Sequence, residues 1–149
     1  MMTRLQDLIQ TNEHQEYAIA TGRNIHKHLQ KIFFDARGIS NSDDELVKKI
    51  KTIPCLIEIM GPLSRTEVPV AGYIDGKFIS RRIDRLYINK NTKNIVVLDY
   101  KTDVDKNIFY KKYVEQLTEY SKLLKQIYNG FSISCKILWI NDFTLENII

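Results

Sequence analysis

The spacing of hydrophobic residues changes from a helical period to a strand period about halfway along the chain. Over residues 16–34, apolar residues recur every three or four positions, which predicts one buried face of a helix. From residue 65 the period becomes two, and Asp75-Gly76 interrupts the alternation as a two-residue hairpin turn does. Two β-branched runs follow, over residues 81–88 and 96–102, with a short polar turn between them. The pattern therefore predicts a first helix and then three strands.

A second long helix is predicted after these strands. Residues 109–128 carry an apolar stripe at helical spacing, and Asn129-Gly130 supplies a common stop after a helix. Residues 132–140 alternate enough for a last strand, which a helical connection makes parallel to the strand at 96–102. The order of helix, three strands, helix and strand predicts an α/β domain with a mixed central β-sheet flanked by helices.

The connection between the first helix and the strands is less regular. Ser42 or Asp43 is placed to cap a short helix over residues 44–51. The stretch 55–60 is apolar enough for a short helix or a strand, and its periodicity leaves both open. Because nothing in the pattern indicates a linker, we expect the 149 residues to form a single domain.

Composition adds only weak constraints on function. The chain has 22 Lys and Arg against 18 Asp and Glu, and a net charge of +4 is compatible with a polyanionic partner without establishing one. Cys55 and Cys135 lie far apart, so neither a disulfide framework nor a cysteine metal site is expected. No apolar run is long enough for a membrane span or a signal peptide. We therefore expect a cytoplasmic protein without a membrane partner.

Acidic residues lie inside the two β-branched strands. Asp99 and Lys101 point to the same face of their strand, because strand side chains alternate with a period of two. If Asp84 faces them from the neighbouring strand, two carboxylates and one ammonium meet in a small volume. Two close carboxylates repel each other and resist desolvation, so the arrangement favours a bound cation. Oxygen ligands favour Mg²⁺ or Mn²⁺, and a lysine beside such an ion can orient a water or stabilise a phosphate.

These residues belong to a longer series of motifs that resembles the PD-(D/E)XK nuclease superfamily. The series resembles the RecB-like branch of that superfamily, and within it the nuclease domain of AddA-type helicase–nucleases. Its five pieces follow the family's order, and they are Gly22-x-x-x-His26, Glu67, Ile83-Asp84-Arg85-Leu86, Asp99-Tyr100-Lys101-Thr102 and Tyr113-x-x-Gln116-Leu117-x-x-x-Tyr120. The resemblance implies a restriction-endonuclease-like core.

The resemblance also implies an activity and a site. It implies a metal-dependent deoxyribonuclease that hydrolyses DNA phosphodiester bonds, as an exonuclease in double-strand-break repair or recombination. The residues it assigns to Mg²⁺ or Mn²⁺ are His26, Asp84, Asp99 and the main-chain carbonyl of Tyr100. The catalytic residues it assigns are Asp84, Asp99, Lys101, Gln116 and Tyr120, with Glu67 as an accessory residue. Arg85 belongs to a run of arginines that is usually a solvated face, but beside such a site it is a candidate accessory residue that holds the DNA backbone. The expected partners are DNA and the helicase domains or partner subunit of a helicase–nuclease complex. The chain would be either a domain excised from a longer helicase–nuclease or a stand-alone member of the family.

Several of these residues also have a structural explanation. A lone histidine such as His26 on a helical stripe is more often a packed core residue than a metal ligand. Glu67 can be a solvated residue at the entrance of a strand. Gln116 and Tyr120 can be core residues with polar ends, four positions apart on one helix face. The motifs therefore leave open a second function, a catalytically silent DNA-binding or assembly module with the same fold.

Overall fold

The structure is a computed structural model in which residues 24–149 are described. The chain divides into two compact units, Met1–Lys31 and Ile32–Ile149. In the first unit, residues 24–30 are helical, which confirms the part of the first predicted helix that is described. The helix ends four residues earlier than predicted, and the N–H of Phe34 instead donates to the Met60 carbonyl at 3.0 Å. The expectation of a single domain stays a prediction.

The second unit is built on a five-stranded sheet whose strands lie in chain order. The strands are β1 (Ser64–Ile74), β2 (Lys77–Asn89), β3 (Asn94–Lys101), β4 (Ser132–Trp139) and β5 (Thr144–Asn147), and the helices are α1 (Glu45–Lys51), α2 (Cys55–Ile59) and α3 (Tyr110–Ile127). Neighbouring strands are antiparallel except β3 and β4, which are parallel. The predicted α/β class, with a mixed sheet flanked by helices, is confirmed.

Both predicted hairpin turns are present. Asp75 and Gly76 have φ angles of 52° and 78°, the left-handed conformation that a two-residue hairpin turn requires at both positions. Between β2 and β3, the side-chain oxygen of Asn89 accepts hydrogen bonds from the N–H groups of Asn91 and Thr92. The residue types at the turns therefore determine the register of all three antiparallel strands.

One local prediction is wrong, and one strand was missed. Asp44 caps α1, rather than Ser42 or Asp43, because its carboxylate reaches the N–H of Val47 at 2.9 Å. The strand β5 was not predicted, because a strand of four residues is too short to show an alternating pattern. The stretch that the sequence left open between helix and strand is the helix α2.

The main core of the second unit lies between α3 and the sheet. The buried residues of α3 that pack there are Leu117, Tyr120, Leu123 and Leu124, against residues of the sheet that include Ile83, Ile95, Val97 and Ile137. Because Val97 faces α3, the alternation of β3 places Asp99 and Lys101 on the same covered face. On the opposite face, the hydroxyl of Tyr87 donates to the Glu58 carboxylate of α2 at 2.6 Å. No helix within residues 24–149 is long and apolar enough to cross a membrane.

Candidate active site

The strands β2 and β3 form a fork, because their pairing stops before either strand ends. The last paired residues are Arg85 and Leu98. Beyond them, β2 continues only against β1, and β3 continues only against β4 as far as Lys101. In β2, the residue just inside this fork is Asp84, which precedes Arg85. In β3, the residue just inside the fork is Asp99, which follows Leu98. The fork therefore brings two carboxylates from neighbouring strands together.

The backbone of β3 faces Asp84 across the fork. The N–H of Tyr100 donates to Oδ2 of Asp84 at 2.9 Å. The carbonyl of Lys101, one residue further, accepts from the Ile140 N–H at 2.8 Å on the β4 side. Because the main-chain groups of successive strand residues point to alternate sides, the Tyr100 carbonyl also faces the fork. A carboxylate and a main-chain carbonyl thus line the same gap.

A break in the alternation of β2 lies at Asp84. Ile83 and Leu86 both belong to the core beneath α3, although residues three apart on a regular strand point to opposite faces. The register places Glu67 of β1 opposite Asp84, and Glu67 has a left-handed φ of 53°. For a residue other than glycine this conformation costs about 1 kcal/mol or more, and such strain is concentrated at functional sites. The strained residue Glu67 therefore lies opposite the acid at the start of the fork.

Asp99 is buried and lies beside Lys101. It is 2% exposed, and its Oδ2 is 2.9 Å from Nζ of Lys101. This ion pair lacks the angles of a hydrogen bond, and no N–H or hydroxyl group in the described part of the chain donates to that oxygen. The carboxyl of Asp84 shares a side-chain hydrogen bond with Asp99. A buried anionic oxygen without a hydrogen bond is unfavourable, so the lysine charge offsets only part of the cost of burying Asp99.

The two carboxylates also affect each other. Burial raises the pKa of Asp84 to about 8, and the negative charge of Asp99 adds to the rise. The Tyr100 N–H and the Lys101 charge act in the opposite direction. A positive ion between the acids would remove this repulsion and favour both ionised forms. The electrostatics of the fork therefore match the cation site that the sequence predicts.

A chain of hydrogen bonds connects Lys101 to α3. Nζ of Lys101 donates to Oε1 of Gln116 at 3.2 Å, and Nε2 of Gln116 donates to the Tyr120 hydroxyl at 2.8 Å. That hydroxyl donates to the Arg82 carbonyl at 3.1 Å, and Tyr120 is 1% exposed. Because the amide nitrogen of Gln116 donates to Tyr120, the amide oxygen of Gln116 faces Lys101. Gln116 thus touches Lys101 directly, whereas Tyr120 lies behind Gln116.

Tyr113 is a further contact of Lys101, to which the sequence assigned no role. The ammonium lies 4.2 Å from the centre of the Tyr113 ring. The Tyr113 hydroxyl donates to both carboxylate oxygens of Asp103, at 2.8 and 3.0 Å. The available signals were its place at the start of the fifth motif and its spacing, since a residue three positions before Gln116 shares its helix face.

Arg85 is not part of this group of residues. It is fully buried, and its guanidinium donates to the Tyr100 hydroxyl, the Ser64 hydroxyl and the Ile32 carbonyl. Its partner Tyr100 points away from the face that carries Asp99 and Lys101. The structure therefore does not bring the Arg85 side chain together with Asp99 and Lys101, because it lies inside the protein on the other face of the sheet. Its accessory role stays a prediction.

The accessory role of Glu67 and the metal-binding role of His26 stay predictions. Glu67 lies inside β1 rather than before it, and its carboxylate is 3.7 Å from the Arg82 guanidinium. Its position opposite Asp84 is compatible with an accessory role. His26 lies in the helical stretch of the first unit, whereas the fork belongs to the second unit. Its role as a metal ligand stays a prediction.

The donor groups at the fork fit a hard cation. Within residues 24–149, no three His, Cys, Asp or Glu side chains form a group that could hold a metal ion. The fork instead offers the carboxylates of Asp84 and Asp99 and the carbonyl of Tyr100. One or two carboxylates suffice for Mg²⁺, which keeps several of its waters. The buried Asp99 oxygen that lacks a hydrogen bond is the group that such an ion would satisfy.

Comparison with known proteins gives no family assignment. No protein-family model matches the sequence, and no curated protein matches it significantly. The resemblance to the PD-(D/E)XK superfamily is therefore carried by the motifs of the sequence.

Proposed function

We propose that this protein is a metal-dependent deoxyribonuclease of the PD-(D/E)XK superfamily, with the restriction-endonuclease-like core of its RecB-like branch. The observation that supports this most is the meeting of Asp84, Asp99 and Lys101 at the fork between β2 and β3. Burying two acidic side chains together is unfavourable for stability, because the repulsion between their charges and the loss of water oppose ionisation, so packing alone does not explain them. A binding or catalytic role does explain them.

Asp84, Asp99 and the main-chain carbonyl of Tyr100 would hold Mg²⁺ or Mn²⁺, with His26 as a further predicted ligand. When bound, such an ion polarises a phosphate oxygen and lowers the pKa of a water molecule. The raised pKa of Asp84 means that binding near neutral pH displaces a proton from this carboxyl.

Lys101 would stabilise negative charge and orient the attacking water. An ammonium has three N–H donors, and within the described residues one of those of Lys101 donates to Gln116 while its charge pairs with Asp99. A remaining N–H can donate to a water or to a phosphate oxygen on which charge develops. Attack of the water at phosphorus breaks the bond to the leaving oxygen. By the resemblance, the products are a 5′-phosphate and a 3′-hydroxyl.

Gln116 and Tyr120 would act as positioning residues for Lys101. The amide of Gln116 holds the ammonium at 3.2 Å, and Tyr120 fixes the orientation of that amide at 2.8 Å. Tyr120 is itself anchored on the Arg82 carbonyl. The chain of bonds connects the lysine to both α3 and β2, which limits its motion during the reaction.

The mode of cleavage, the cellular process and the partners that we propose rest on the resemblance to the RecB-like branch. We propose an exonuclease of double-strand-break repair or recombination, which acts on DNA in the cytoplasm together with helicase domains or a partner subunit. The alternative is a catalytically silent DNA-binding or assembly module. Loss of a metal ligand or of the lysine would favour that alternative, and here Asp84, Asp99 and Lys101 are all present.

Incubation of the purified protein with end-labelled linear DNA and with circular DNA, in Mg²⁺, Mn²⁺ or EDTA, tests this proposal. We expect the linear DNA to be degraded from its ends when either metal is present, and no degradation in EDTA. Cleavage of the circle would assign an endonuclease instead. Binding of DNA without cleavage in either metal would support the silent module.

A further inference from the structure

We propose that the aromatic ring of Tyr113 positions the ammonium of Lys101, while the Tyr113 hydroxyl has a separate, structural role. This inference rests on the proposed function, because it concerns how the site holds its lysine. Nζ of Lys101 lies 4.2 Å from the ring centre. That distance is well within the range of about 6 Å over which a ring face attracts a cation.

The ring of Tyr113 is held firmly in place. Its hydroxyl is bound to Asp103, which follows Lys101 by two residues, so a helix residue is fastened to the end of β3. The ring centre lies 6.2 Å from that of Trp139 on β4 and 6.2 Å from that of Phe109. Burial, followed by the hydrogen bond to Asp103, raises the pKa of Tyr113, so its hydroxyl remains a neutral donor. The ring is thus a fixed surface on one side of the lysine.

An aromatic face suits this position better than another polar group. It attracts the charge of Lys101 without requiring an N–H group to point in one direction. Asp99 and Gln116 already occupy two of the sides of the ammonium, and the Lys101 side chain is 17% exposed. A third oxygen acceptor would compete with the substrate for the remaining N–H. The ring therefore holds the lysine and leaves an N–H available for a phosphate oxygen or a water.

Three variants separate the ring from the hydroxyl. Tyr113→Phe keeps the ring and loses the bond to Asp103, whereas Tyr113→Leu fills much of the space without an aromatic face. Phe109→Leu is the control, because Phe109 is half exposed and contacts the Tyr113 ring. In single-turnover cleavage with Mg²⁺, we expect Tyr113→Leu to be about tenfold slower than wild type, which is within the range of a partly desolvated cation–π contact. Tyr113→Phe should cleave at a rate within about threefold of wild type, and Phe109→Leu should cleave at the wild-type rate.

A second measurement detects the contact itself, without metal or DNA. Protons of the Lys101 ε-methylene lie near the ring and are shifted upfield by its ring current. In ¹³C-lysine-labelled protein, with the signal assigned from Lys101→Arg, the shift should persist in Tyr113→Phe and Phe109→Leu. It should disappear in Tyr113→Leu, leaving the signal close to those of exposed lysines such as Lys90.

The two measurements distinguish failure of this inference from failure of the proposed function. Absence of metal-dependent cleavage by wild type would overturn the function, and the Lys101 signal would then decide the contact alone. The positioning role of Tyr113 is overturned if Tyr113→Leu cleaves as fast as wild type. It is also overturned if a normally melting Tyr113→Phe is as slow as Tyr113→Leu, or if the Lys101 signal is the same in all variants.

Discussion

The main-chain N–H of Tyr100 donates a 2.9 Å hydrogen bond to a carboxylate oxygen of Asp84, across the fork between β2 and β3. In a continuous sheet, this N–H would be bound by a carbonyl of the neighbouring strand. A backbone donor that loses its strand partner needs another acceptor, and here the acid supplies it. The same bond that satisfies the open edge of β3 also holds Asp84 beside Asp99.

Asp84→Asn should remove a pH dependence from the stability of the metal-free protein. The pKa of Asp84 is about 8 in the folded state, against 3.8 for an ordinary aspartate, so the unfolded chain loses this proton first as pH rises. The stability contributed by protonated Asp84 is therefore complete below about pH 4 and is lost as pH rises toward 8. Urea unfolding in EDTA at pH 5, 6.5 and 8 should show wild type losing up to about 1.4 kcal/mol per pH unit relative to the variant. Equal slopes in the two proteins would contradict this prediction.

Mn²⁺ or Mg²⁺ should raise the melting temperature of wild type, and more at pH 8 than at pH 6.5. Binding requires the ionised carboxylates, and a ligand at 100 times its Kd stabilises a protein by about 2.7 kcal/mol. Asp99→Asn should lose most of this increase, whereas Asp43→Asn, at an exposed acid before α1, should keep it. An increase that survives in Asp99→Asn would place the bound metal outside the fork.

Gln116→Ala and Tyr120→Phe should slow cleavage through the same contact with Lys101. Since Tyr120 acts behind Gln116, adding Tyr120→Phe to Gln116→Ala should have little further effect on the single-turnover rate. Tyr120→Phe should also lower the unfolding free energy by about 1–3 kcal/mol, because it leaves the Arg82 carbonyl without a donor. Independent, multiplicative rate effects in the double variant would show that the two residues act separately.

Arg85→Met should destabilise the fold by about 3 kcal/mol. Its loss removes the donors that serve the Tyr100 and Ser64 hydroxyls and the Ile32 carbonyl, all within the protein. Arg82→Met on the same strand is the control, since the Arg82 side chain is 69% exposed and should change stability by less than about 0.5 kcal/mol. Urea unfolding measures both. Similar small changes in the two variants would contradict the buried role of Arg85.

The parts of the fold that depend on neighbouring residues could be predicted from the sequence. The Asp75-Gly76 turn follows from the left-handed conformation that these residue types accept, and it aligns β1 with β2. The shared face of Asp99 and Lys101 follows from the period of two in β3. The four-residue spacing of Gln116 and Tyr120 likewise indicated their contact, which the structure shows as a hydrogen bond.

The burial of Arg85 could not be predicted in this way. The alternation of β2 changes at Asp84, opposite a left-handed Glu67 on β1. That change depends on a second strand and leaves no pattern within the run around Asp84, so Arg85 looked like a neighbour of the acids. The contact of Tyr113 with Lys101 likewise depends on how α3 crosses the end of β3.

The most direct test of the nuclease activity is single-turnover cleavage of end-labelled linear DNA by wild type and by Lys101→Met, in Mg²⁺, Mn²⁺ and EDTA. Lys90→Met, at an exposed lysine in the turn after β2, is the control. We expect wild type and the control to cleave at similar rates with either metal and not in EDTA. Lys101→Met should be slower by about 100-fold or more, the usual cost of removing a group that stabilises developing charge. It should melt at a lower temperature than wild type, because Asp99 loses its ion pair, but remain folded at the assay temperature. No cleavage by wild type, or cleavage by Lys101→Met at the wild-type rate, would contradict the proposed activity and the role of Lys101 at the fork.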